Sequence, residues 1–109
     1  MLALLLNVPK TNEDWLTWGK HHANDHIEII QAIAKKTGST LAQYVLYPID
    51  LSDPDFLERH QQTHLDMDNA LKVQSANLQD VDLSNEKQKI AWVDANYQEH
   101  FDARAALAI

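Results

Sequence analysis

Two histidine pairs at four-residue spacing, His22/His26 and His60/His64, and a single His100 further on carry most of the chemistry this chain can offer. On a helix, that spacing puts both imidazoles of a pair on one face, where two ring nitrogens can bind one cation. Each pair lies inside an apolar row rather than opposite it. At ~100° per residue, Leu57, His60, His64, Met67 and Leu71 fall within about 80° of one another. Trp18, His22, His26, Ile29, Ile30 and Ile33 lie within about 60° of Trp15, while His21, Asn24 and Glu28 point away. A third face, built by the same periodicity from Ile90, Val93, Tyr97, His100, Phe101 and Arg104, leaves Trp92 and Glu99 outside.

A lone histidine on an apolar face is ordinarily a core side chain whose nitrogens find a backbone or carboxylate partner. Five that share an interior are harder to satisfy, because each buried imidazole without a partner costs roughly 1–3 kcal/mol. A transition metal meets that demand, and imidazole-rich ligation suits zinc, iron, copper or nickel better than magnesium or calcium. The candidate ligands are His22, His26, His60, His64 and His100, with Asp68, which continues the His60/His64 row by one turn. Asp25 and Asp94 are further carboxylates near these faces, and an inward Arg104 needs Asp25 or Asp68 between its guanidinium and any cation. Histidine beside carboxylate is also a proton-transfer pair, but no serine-centred elbow or glycine-rich phosphate loop accompanies it. The expectation is a protein without catalytic residues.

The elements that must position these rings are helices. Thr11 is an N-cap with Glu13 and Asp14 in the first turn, and Gly38 is a stop, so the first helix is expected over 12–36. Asp53-Pro54 opens a second over 54–75, and Ser84 with Glu86 opens a third over 85–107. A short extra helix is expected near 40–47, ending before Pro48, and Leu78 to Leu83 is expected as a loop with two or three buried anchors. The fold class is therefore all-α, a small bundle of three main helices plus a short one, in a single domain over 1–109. Residues 1–10 begin with a run of leucines too short to span a membrane, and they should be buried on this domain or serve as an arm docked on a neighbour.

Composition narrows the partners. A net charge of −7 repels phosphate backbones and anionic membranes, so neither nucleic acid nor membrane is expected. The chain has no cysteine, which removes disulfides, thiolate ligands and thiol nucleophiles together. Two glycines and three prolines leave little material for a turn-rich β-fold.

Two resemblances add expectations. Five histidines with two carboxylates resemble the di-iron ligand set of the hemerythrin family, also a helical bundle of this size. That family is built on four long helices with a His-x3-Glu, which this chain lacks, so oxygen binding is not carried over. The strings Arg59-His60-Gln61-Gln62-Thr63-His64, Asn77-Leu78-Gln79-Asp80-Val81-Asp82-Leu83, Ala91-Trp92 and Asn96-Tyr97-Gln98-Glu99-His100 are similar to small uncharacterised proteins of tailed-bacteriophage and prophage structural gene clusters. Asp25-His26-Ile27-Glu28-Ile29 and Tyr47-Pro48 fit the same likeness. It implies a non-enzymatic virion or virion-assembly protein, in the virion or host cytoplasm, whose partners are other protein subunits, copies of itself included. The rival expectation is a histidine-rich metal-binding bundle holding zinc or iron.

Overall fold

In the computed structural model, which describes residues 2–50, 52–82 and 84–109, three helices account for the chain's regular structure: α1 (Asn12–Thr37), α2 (Pro54–Leu71) and α3 (Glu86–Leu107). A 3-10 turn, Leu2–Leu6, precedes them, and no strand occurs among the described residues. The bundle is all-α.

Helix ends follow the local chemistry. Thr11 and Asp14 form a reciprocal capping box: Asp14 N donates to Thr11 Oγ1 at 3.0 Å and Thr11 N to Asp14 Oδ2 at 3.2 Å. Gly38 closes α1 at φ 75°, a left-handed conformation that glycine adopts without strain. Asp53 caps α2 through Asp55 N, with Pro54 in the first turn. α2 ends at Leu71, earlier than the expected 75, because Lys72 turns left-handed and Val73 N reaches back to the Asp68 carbonyl at 3.0 Å. The cap of α3 is Asn85, whose side chain accepts from Gln88 N, rather than Ser84.

Two apolar clusters lie at opposite ends of the bundle. One is formed by Leu5, Trp18, Leu46, Phe56, Leu57, Leu78, Trp92 and Val93, the other by Ile29, Ile30, Ile33, Met67, Ala103 and Leu107. All three helices run from the first cluster to the second, so the segments 38–53 and 72–85 each return the chain to the start of the next helix. Between the clusters, every helix contributes polar side chains at the same level: His22 and His26, then His60 and His64, then Asn96 and His100. The functional candidates are thus a polar layer between two apolar ones.

Two further expectations need correction. Residues 40–47 are not helical. A helix this short gains little from its own hydrogen bonds, Tyr44-Val45-Leu46-Tyr47 favours extended backbone, and the segment buries only Leu46 while Arg59 Nε holds the Val45 carbonyl at 3.0 Å. The inward face of α3 is also turned from the expected one: Trp92 and Glu99 are buried, whereas Ile90 and Phe101 are 47% and 48% exposed. Trp92 is held there by its Nε1, which donates to the Leu78 carbonyl at 2.8 Å. Of the two expectations for the N-terminal turn, its contacts here fit burial on its own bundle: Leu5 is fully buried and its carbonyl accepts from Trp18 Nε1 at 3.2 Å. Leu78 and half-buried Val81 anchor the second return segment; Leu83, the other expected anchor, lies outside the described residues.

Candidate metal centre

The spacing of the two pairs does what the helical wheel requires of it. His22 and His26 project from α1, His60 and His64 from α2, and His100 from α3, and all five rings are at most 2% exposed. Their Nε2 atoms meet: His22 to His26 at 3.0 Å, His22 to His60, His60 to His64 and His26 to His100 each at 3.1 Å. The rings have a definite arrangement. His22, His60, His64 and His100 form a circuit with successive centroids 4.9, 4.5, 5.1 and 5.0 Å apart. His26 caps that circuit, 4.4, 5.6, 4.8 and 4.4 Å from the four in the same order. One ligand atom each from His22, His26, His64 and His100 falls within 4.8 Å of the others, close to the about 4.2 Å that separates opposite ligands of a single cation, and His60 lies outside that group but meets it through His22 and His64.

Asn96 completes the layer. Its Oδ1 lies 3.2 Å from His22 Nε2 and 3.0 Å from His60 Nε2, and the residue is fully buried. These three atoms form a triangle that hydrogen bonding cannot satisfy. An amide oxygen only accepts, so both imidazoles must present N–H to it, and two N–H groups then face each other across 3.1 Å. Turning the amide over makes Asn96 Nδ2 the donor to both, and two lone pairs then face each other instead. Protonating a ring adds a donor and removes an acceptor, so it does not help. Nδ1 of His22, His26 and His60 has no partner either.

Behind the rings stand carboxylates. His100 Nδ1 lies 2.6 Å from Asp25 Oδ2, and Asp25 Oδ1 accepts from Arg104 at 2.7 Å, so the arginine is neutralised as the sequence requires. His64 Nδ1 lies 3.3 Å from Glu99 Oε1, near but not aligned as a hydrogen bond. Asp68 is buried beside Glu99 and is not part of the converging group, so its place is behind His64 rather than among the imidazole nitrogens. Asp94 is exposed. Burial, and then the charge of neighbouring imidazoles, holds His22, His26, His60 and His64 well below the usual histidine value, so their rings are neutral with lone pairs to give. Burial, and then the adjoining Glu99 carboxyl, pushes Asp68 up to about 7.

Asn96 and Glu99 escaped the sequence reading because neither is apolar. One signal was present: Asn96 stands four residues before His100, the spacing of both histidine pairs. No family model, curated protein or solved structure matches the chain, so neither the bacteriophage nor the hemerythrin likeness gains support from comparison.

Proposed function

We propose that this protein binds a transition-metal cation in the imidazole layer between its two apolar clusters. The observation that carries the reading is the His22–His60–Asn96 triangle, whose 3.0–3.2 Å contacts no choice of tautomer, charge or amide orientation can satisfy. A cation at the point where the lone pairs converge turns those repulsions into ligand bonds. It also fixes the tautomers, because rings that ligate through Nε2 carry their hydrogen on Nδ1, where Asp25 and Glu99 await His100 and His64. Glu99 behind His64, and Asp25 shared between His100 and Arg104, offset part of a divalent charge. A cleft of about 190 Å³ between α1, α2 and the 43–47 segment has His26 and Thr63 in its wall.

Elemental analysis of protein purified without a histidine tag, followed by chelator dialysis and a melting scan, tests this. The expected result is near one transition metal per chain and a marked loss of melting temperature on its removal. Metal-free protein that melts identically with and without added zinc, iron, cobalt and nickel salts overturns it.

A further inference from the structure

The spacing of the donor atoms says more than that a metal binds. Ligands about 2.1 Å from a cation lie about 3.4 Å apart in a tetrahedron and about 3.0 Å apart at right angles. Six of the twelve adjacent donor pairs that an octahedron of these groups needs lie at 3.0–3.2 Å, near the right-angle value. The ring centroids suit a square pyramid, with four imidazoles in a circuit and the fifth, His26, 4.4–5.6 Å from each of them. A square pyramid lacks one ligand, opposite its apex. Asn96 Oδ1, fully buried and seated against the His22–His60 edge of the base, is the remaining donor of the layer.

We propose that the centre is six-coordinate, with five imidazole nitrogens and Asn96 Oδ1 as the sixth donor opposite His26, and that it takes divalent iron, cobalt or nickel in preference to zinc. This rests on the metal-binding reading above and deepens it. Zinc has no electronic preference among geometries and settles in four-coordinate sites, whereas iron, cobalt and nickel with neutral nitrogen and oxygen donors favour six. The amide oxygen is the weakest of the six donors. It leaves the metal saturated while it stays, so a substrate or gas could reach the ion only where Asn96 gave way.

Cobalt is the reporter. Wild-type protein titrated with cobalt(II) should show the weak pink bands of six-coordination, and Asn96→Leu, of similar branched shape but without a donor, should intensify and shift them towards five-coordination. X-ray absorption of the nickel-loaded wild type, which needs no variant, should give six nitrogen or oxygen neighbours at about 2.1 Å. An intense blue tetrahedral cobalt spectrum, four neighbours at nickel, or bands unchanged in a folded Asn96→Leu protein would overturn the proposal while leaving a metal site in place. Failure of the wild type to bind either ion would instead sink the metal reading on which it rests.

Discussion

The Nδ1 atom of His100 and the Oδ2 atom of Asp25 are 2.6 Å apart, in a region where His100 is fully buried and Asp25 is 5% exposed. The carboxylate takes the Nδ1 hydrogen and so leaves the Nε2 lone pair aimed at His26 and the shared interior. Asp25 is in turn held by Arg104, which also meets Glu28 at 3.0 Å. A ring on α3 is thereby oriented by a carboxylate on α1, across two of the three helices that the centre joins.

Asp25→Asn tests that orientation. The amide can still bond His100, but it can offer a hydrogen to Nδ1 and so permit the wrong tautomer. Removing such a partner costs metal sites about 10–100-fold in affinity. Competition against a chelator should register a loss of that size, with the metal-to-protein ratio at saturation unchanged. Unaltered affinity would mean that the carboxylate plays no part in setting the ring.

Trp92 and Ile90 separate what could be read in the sequence from what could not. The caps at Thr11, Gly38 and Asp53, and the inward rows of α1 and α2, were legible because their stripes are unbroken and the histidines fall within them. On α3 the inward face holds Asn96, Glu99 and Ala103, so counting apolar residues favoured Ile90 and Phe101, which face solvent. Polar side chains that belong to the centre disguised the face that bears them. Trp92→Ala should cost about 3–5 kcal/mol in denaturant unfolding, from lost burial and the orphaned Leu78 carbonyl. Ile90→Ala should stay within about 0.5 kcal/mol. Comparable losses at the two positions would return α3 to its expected orientation.

His22 sits in two roles, stacked 4.7 Å from Trp18 and placed at a corner of the unsatisfied triangle. Leucine in its place keeps the apolar contact and removes the conflict, leaving His60 free to donate to Asn96 Oδ1 without opposition. Replacing a buried polar group that lacks a good partner by an apolar one of similar size is often neutral or stabilising. Metal-free His22→Leu protein should therefore melt no lower than metal-free wild type, while its metal affinity collapses. A large drop in the melting temperature of the metal-free form would show that the imidazole serves the fold and not a ligand.

Acid should destabilise the metal-free protein, and the sign follows from which state takes the protons. His22, His26, His60 and His64 are held below 6.5 in the folded state by burial, so between about pH 6.5 and 5 the unfolded chain protonates them first and stability falls with pH. Asp68 acts in the opposite direction: raised from 3.8 to about 7, it keeps its proton in the folded state and loses it in the unfolded one over much of the same range. Four groups favouring the unfolded state on acidification against one favouring the folded leave a net loss of stability as pH falls through this range. Melting temperatures of metal-free protein should decline steeply from pH 7 to 5. A bound cation competes with those protons for the same lone pairs, so the metal-loaded protein should hold its melting temperature to a lower pH before releasing the ion. Equal pH profiles with and without metal would place the cation away from these rings.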